Sequence, residues 1–258
     1  MKILRRVFTA KIQVWELLLV GLLLLAVLYR PPEAEPQSAQ EMEFFRATYG
    51  PDHGTEREEE WLIRDFFKGK RGGYFVDVGA NHYELGNKTY YLERHQGWSG
   101  IAIEPQFEYA ADYTVHRPRT KFFQLFVSDV SDKTADLYVV KDSPFVASSD
   151  KEFVSQFGKP DEVRKVATVA LNDLLDREGR QTVDFVSMDI ELHEPQALKG
   201  FDIQRFRPSL VCIEALLPVR QQILDYFARN GYVAVGRFLW VDRENLYFTP
   251  LVSGQRPQ

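Results

Sequence analysis

Four groups of polar residues have the types and spacing to do chemistry. The first is Asp77-Val78-Gly79-Ala80-Asn81, directly after a short apolar run. An acid at the end of a strand, then a glycine in the tight turn, lets the backbone approach a ligand closely. The Asp and Asn side chains can hold polar groups such as an amine or a carboxylate. The next glycine is Gly86, so the spaced glycine triplet that cradles a dinucleotide pyrophosphate is missing. This argues for a nucleoside ligand without phosphates and against NAD, although a plain strand-to-helix turn would read the same way in isolation. The second group, Glu104-Pro105, ends the next apolar run, 27 residues after Asp77. An acid there accepts hydrogen bonds from both ribose hydroxyls; the bland reading is a surface acid before a helix-starting proline. The third, Ser128-Asp129, either flanks an adenine ring or caps a helix.

The fourth group is Met188-Asp189-Ile190-Glu191-Leu192-His193-Glu194. Such a cluster can act as a base or orient a substrate hydroxyl. Glu191, His193 and Glu194 are the candidate catalytic residues, and flanking carboxylates would raise the basicity of His193. A divalent cation on Asp189, Glu191 and Glu194 is an alternative use of the same acids, and no metal is assigned. The bland reading is a loop and the first turn of a helix, where acids favour the positive end of the dipole.

These groups need a scaffold that brings strand ends together. Strands are expected at Tyr74–Val78, Gly100–Ile103, Phe122–Val127, Leu137–Val140, Val166–Val169, Val183–Met188, Leu210–Ile213, Tyr232–Leu239 and Leu246–Thr249. Helices are expected at Asn87–Gln96, Phe107–Val115, Leu171–Asp176, Pro195–Leu198 and Val219–Asn230, with a loop over 142–161. A capping box at Thr55-Glu56-Arg57-Glu58 is expected to open a helix running to about Lys68. The alternation predicts a mostly parallel sheet covered by helices on both faces, with the last two strands as an antiparallel hairpin. Ligands in such sheets bind beyond the carboxyl ends of the strands.

The chain has 258 residues and a formal net charge of −5. Residues 1–30 hold five bases (Lys2, Arg5, Arg6, Lys11, Arg30) and one acid (Glu16), leaving 27 bases against 36 acids in the remainder. An acidic body without a basic stripe is a poor nucleic-acid binder, so no nucleic-acid partner is expected. The single cysteine, Cys212, excludes an internal disulfide framework and cysteine-based zinc sites. The run Ile12–Tyr29 is eighteen residues, roughly 27 Å as helix, with Trp15 and Tyr29 near its ends. It offers no small-residue cleavage site and reads as an uncleaved single-pass anchor. The expected organisation is therefore a membrane anchor at 1–30, a linker at 31–54 and a catalytic domain at 55–258. The flanking bases favour a cytoplasmic N-terminus, which would export the body.

The stretches at 74–105 (YFVDVGANHYELGNKTYYLERHQGWSGIAIEP) and 183–202 (VDFVSMDIELHEPQALKGFD), with RPSLVCIE at 207–214, resemble the FkbM-type methyltransferases, which use S-adenosylmethionine and mostly methylate hydroxyl groups. The resemblance covers roughly residues 55–215. It implies the class I methyltransferase (Rossmann-like) fold, α/β with a seven-stranded sheet and an antiparallel C-terminal hairpin, here preceded by the N-terminal transmembrane helix. It further implies that Asp77, Gly79 and Asn81 surround the methionine part of the cofactor, that Glu104 with Pro105 holds the ribose, and that Ser128 and Asp129 lie near the adenine. Asp189, Glu191 and Glu194 fall on the family's Asp-x-Glu-Gly-x-Glu motif beside the transferred methyl. This sequence departs from the family pattern at Leu192 and Tyr83, where the family has glycine, and at Ala170-Leu171-Asn172, where Thr-Leu-Asp is common. The implied activity is O-methylation of a glycan or other small molecule. The rival is a catalytically idle, membrane-anchored fold that binds a partner. The domain's side of the membrane stays open, because the cofactor is made in the cytoplasm.

Overall fold

The computed structural model describes residues 36–251 apart from His53, Glu56 and Asp142. The helices are Pro36–Tyr49 (α1), Glu59–Phe67 (α2), Tyr90–Gln96 (α3), Ala110–His116 (α4), Lys151–Val154 (α5), Leu171–Arg177 (α6), Glu194–Lys199 (α7), Ile203–Phe206 (α8) and Leu217–Arg229 (α9). The strands are Tyr74–Val78 (β1), Ser99–Ile103 (β2), Thr120–Phe123 (β3), Phe126–Val127 (β4), Thr134–Val139 (β5), Glu162–Val169 (β6), Phe185–Met188 (β7), Leu210–Glu214 (β8), Tyr232–Ala234 (β9) and Asn245–Pro250 (β10). The chain divides into two units, 1–41 and 42–258; α1 straddles the division and all other described elements lie in the second.

Seven strands form one sheet in the order β3-β2-β1-β7-β8-β10-β9. Strands β3 to β8 within it run parallel, whereas β10 is antiparallel to both β8 and β9. The expected seven-stranded α/β sheet with a terminal antiparallel hairpin is therefore present. Its central strands are continuous buried runs because both faces are covered. Val76, Val78, Val186, Met188, Val211 and Ile213 face a cluster that includes Leu174 of α6, Leu198 of α7 and Phe227 of α9. Phe75, Phe185, Cys212 and Tyr247 face the other way, against Phe45, Trp61, Leu62 and Leu92. A second sheet, β4-β6-β5, stands apart from the first.

Several local expectations need correction. The strand expected at Phe122–Val127 is two strands: β3 ends its pairing with β2 at Phe123, and Leu125 turns back on the Phe123 carbonyl. Phe126 and Val127 then pair with Thr168 and Val169 in the other sheet. The expected strand at Tyr232–Leu239 stops at Ala234, and a 3-10 turn over Gly236–Trp240 buries Phe238. Helix α2 begins at Glu59, with Glu58 in a left-handed conformation and no side-chain cap; Thr55 Oγ1 instead accepts from the Glu60 amide at 3.3 Å. Within the stretch expected as a linker, residues 36–49 are helical, and Phe45 is fully buried in the core. The expected anchor at 1–30 lies outside the described residues. Among the described residues, no helix is long and apolar enough to cross a membrane.

Phe45 provides a test of this packing. Phe45→Ala is expected to cost about 3–5 kcal/mol, read as a lower denaturant midpoint with unchanged slope. A change under about 0.5 kcal/mol would mean that this part of α1 is not part of the folded core.

Candidate functional site

The sheet order reverses between β1 and β7: from β1 the chain proceeds to β2 on one side, while β7 lies on the other. A crevice at the carboxyl ends is expected at that switch point, and the turns after β1 and β7 meet there. Gly79 has φ +75°, and a Cβ on it would lie 1.8 Å from the Asp189 carbonyl oxygen. Only glycine fits, so the first turn can pass directly over the second. The chain is left-handed again at Asn81 (φ +46°), whose amide donates to Glu104 Oε2 at 3.1 Å. Glu104 Oε1 accepts from the Gln106 amide at 2.9 Å. Burial pushes the Glu104 carboxyl up to about 7, against the lowering effect of these two amides. Asn81 Oδ1 is buried and has no hydrogen-bond partner.

Asp77 lines the crevice and also has a structural part. Its carboxylate is buried and accepts from Thr89 Oγ1 at 2.8 Å and Asn87 Nδ2 at 3.1 Å, so it ties the end of β1 to the entry of α3. Burial raises its pKa despite those bonds.

Across the crevice, one carboxylate oxygen from each of Asp189, Glu191 and Glu214 lies within 4.8 Å of the others. The three-acid set read from the sequence had Glu194 in place of Glu214. Glu194 is fully buried, and its Oε1 accepts from the Ile190 amide at 2.9 Å, closing the 190–194 turn. Burial lifts its pKa to about 7. Glu214 is pushed well above the usual carboxylate range by burial and then by Asp189, Glu191 and Glu194. Lys88 is buried, with its ammonium 2.8 Å from Asp189 Oδ2 and 3.8 Å from Glu59 Oε1. Burial works against that charge, but Asp189 and Glu59 outweigh it and hold the Lys88 pKa well above normal. Lys88 and Glu214 were missed in the sequence. Glu214 carried the signal used for Asp77 and Glu104, an acid at the carboxyl end of an apolar strand.

The acidic turn is strained. Glu191 and Leu192 both have positive φ, +56° and +75°, conformations that are costly without glycine. Ser148 Oγ donates to the Glu191 carbonyl at 2.7 Å, and Leu192 packs against Val140, Phe153 and Val154. The family glycine at this position is thus a backbone requirement that Leu192 meets by packing.

The structure does not bring His193, Glu194, Ser128 or Asp129 to the cavity wall. His193 Nδ1 is 3.1 Å from Ser149 Oγ, its Nε2 is 3.4 Å from Ser128 Oγ, and its ring meets Phe126 edge-on. Burial lowers its pKa, and Asp129 only partly offsets this, so the expected rise in basicity is reversed. Asp129 is exposed and bonds Gln196, which lowers its pKa.

The cavity itself has a volume of about 490 Å³. Asp77, Gly79, Asn81, Glu104, Pro105, Asp189, Glu191, Lys88 and Glu214 line it on polar ground. Phe126, Leu137, Phe145, Phe153, Phe157 and Leu216 give it an apolar wall. Arg57 and Glu244 also line it and pair at 2.5 Å.

A family model described as the methyltransferase FkbM domain matches residues 77–234. No curated protein matches. Among solved structures, a TehB-like SAM-dependent methyltransferase from Corynebacterium glutamicum is 15% identical, covering 86% of this chain and 100% of its own, with a TM-score of 0.42. A methyltransferase from Geobacter sulfurreducens is 14% identical, covering 90% and 97%, with a TM-score of 0.42. An O-methyltransferase from Bacillus cereus in complex with S-adenosylhomocysteine is 14% identical, covering 87% and 92%, with a TM-score of 0.41.

Glu194 gives a pH-dependent stability. Its folded pKa of about 7 exceeds the ordinary 4.5, so the folded state binds the extra proton and stability falls as pH rises from about 4.5 to 7. The loss from this group is on the order of 3 kcal/mol. Glu194→Gln keeps the acceptor for the Ile190 amide and is expected to flatten that slope, leaving the variant more stable than the parent above pH 7 in urea titrations. Parallel stability–pH curves would show that Glu194 is not the titrating group.

Proposed function

The chain belongs to the FkbM methyltransferase family, and from this we propose that it transfers the methyl group of S-adenosylmethionine to a hydroxyl of a glycan or other small molecule. The observation that carries the reading is that Asn81 and Glu104 open onto the same cavity as the Asp189–Glu191–Glu214 acids.

The residues present fit the cofactor. The unpartnered Asn81 Oδ1 is an acceptor for its ammonium group. Glu104, held by two backbone amides, has acceptor capacity left for the ribose hydroxyls. When bound, S-adenosylmethionine supplies an electrophilic methyl on a sulfonium that is already a good leaving group. The chain's task is then positioning and removal of water. Glu191 would take the proton released by the acceptor hydroxyl. Lys88 keeps Asp189 fixed beside it. The phenylalanine wall shields the reacting groups and carries the apolar part of the acceptor. We also place the chain at a membrane, through the apolar run at 12–29. Protease protection on sealed vesicles reads which side the domain occupies.

Calorimetry with S-adenosylhomocysteine tests the cofactor assignment. Ribose hydroxyls donate best to ionised Glu104, so affinity is expected to weaken as pH falls below about 7. Glu104→Gln should lower affinity roughly 10- to 100-fold and abolish that pH dependence. An absence of saturable heat would favour the idle fold. Once mass spectrometry of lipids and glycans from cells with and without the gene supplies an acceptor, Glu191→Gln should lose turnover by about 10²- to 10⁴-fold while still binding S-adenosylhomocysteine. Normal turnover would remove Glu191 from the mechanism.

A further inference from the structure

We propose that the protein carries a second ligand site, for a phosphate group, at the opposite end of the main sheet from the cavity. A pocket of about 240 Å³ is lined there by Arg71, Arg94, His95, His116 and Arg119. Arg71 precedes β1, Arg94 and His95 lie in the last turn of α3, and His116 and Arg119 precede β3. Since β1, β2 and β3 are parallel, their amino ends share one edge. The cavity loops follow the carboxyl ends of β1 and β2, so the two sites are separated by the length of the strands.

The charge of this pocket is uncompensated. Its one lining carboxylate, Glu93, is already spent on Arg117 Nε at 2.6 Å, Thr120 Oγ1 at 2.5 Å and the Arg119 amide at 2.8 Å. Among the described residues, Arg71, Arg94 and Arg119 form no ion pair with a carboxylate. All three are exposed. The plainer account is that cations at a helix C-terminus satisfy its last carbonyls and its dipole. Arg71 Nη1 does donate to the His95 carbonyl at 3.3 Å, and Arg119 Nη1 to the Gly97 carbonyl at 3.0 Å. Each contact uses one of the five guanidinium donors, and Arg94 makes neither. Three guanidiniums around one pocket repel one another, in a body where acids outnumber bases 36 to 27 beyond residue 30. An anion that accepts from several planar forks at once relieves that repulsion, and a phosphate is the anion whose oxygens match them.

The same chemistry could come from a free phosphomonoester or from a lipid headgroup, and one experiment separates them. The full chain in detergent is titrated by calorimetry with glycerol 3-phosphate, with short-chain phosphatidic acid and with glycerol. Saturable binding is expected for a phosphate-bearing probe, none for glycerol, with affinity falling as salt is raised. Arg71→Gln combined with Arg94→Gln should weaken binding at least about tenfold while leaving cooperative unfolding intact. Equal binding of both phosphate probes assigns a free phosphomonoester, and binding of phosphatidic acid alone assigns a headgroup. If the double variant fails to fold, Arg94→Gln alone serves, since among the described residues its side chain forms no hydrogen bond or ion pair. No saturable binding of either phosphate probe, or binding unchanged by the substitutions, overturns the proposal. The outcome is independent of methyl transfer, because the substituted arginines lie outside the cavity lining, so a loss of binding in the variants reports on this pocket alone.

Discussion

The site depends on one close approach, the passage of Gly79 over the carbonyl of Asp189. A methyl group in place of the glycine hydrogen would fall 1.8 Å from that oxygen, well inside any van der Waals contact. The two turns at the switch point can therefore touch as backbone, and side chains are displaced to either flank. Asn81 and Glu104 lie on one flank, and Asp189, Glu191 and Glu214 on the other. A wider gap would separate them into unrelated surface acids. This places the reason for the glycine in tertiary structure; its positive φ alone would have tolerated Asn, as position 81 shows.

Concentrating acids in a half-buried crevice is costly, and the fold offsets the cost with specific partners. Unpaired buried charge is far more expensive than a hydrogen-bonded pair. Asp77 is held by Thr89 and Asn87, Glu104 by two amides, and Asp189 by the Lys88 ammonium, which is itself shared with Glu59. Glu214 has no such partner for Oε2, and burial, with the charges of Asp189, Glu191 and Glu194 beside it, raises its pKa. The cluster thus combines a carboxyl that retains its proton with others anchored from behind. That difference between neighbouring acids suits a site that must accept one proton without filling with water.

How much of this was legible in the sequence depended on the range of the interaction involved. The central strands and the terminal hairpin follow local patterns, whereas the count of seven strands rested on the family resemblance; Asp77, Gly79, Asn81, Glu104, Pro105, Asp189 and Glu191 line one cavity. His193 was misread because sequence proximity to acids says nothing about burial, and burial decides its pKa. Glu194 was misread because a carboxylate that closes its own turn has the same spacing as one that faces a ligand. Phe126 and Val127 leave the main sheet through a turn at Leu125 that no glycine or proline marks. Lys88 and Glu59 lie 29 residues apart in sequence and meet only through tertiary packing.

Leu192 shows how a departure from a family pattern can be absorbed. Left-handed backbone at a residue with a side chain costs of order 1–3 kcal/mol, which is why glycine is common there. In this chain the leucine extends into the cluster of Val140, Phe153 and Val154, and it also packs against the main core. Burying a leucine side chain contributes about 1.5–3 kcal/mol when complete, and part of that here. The two terms are of similar size, so the turn keeps its shape without the glycine. The substitution also has a consequence that glycine could not supply. Phe153 belongs to the apolar wall of the cavity, and Leu192, in the acidic turn, packs against the small cluster that contains Phe153, so that cluster ties the wall to the carboxylate-bearing turn. The residue that departs from the family pattern is, in the folded chain, packed into the cluster that backs the apolar wall.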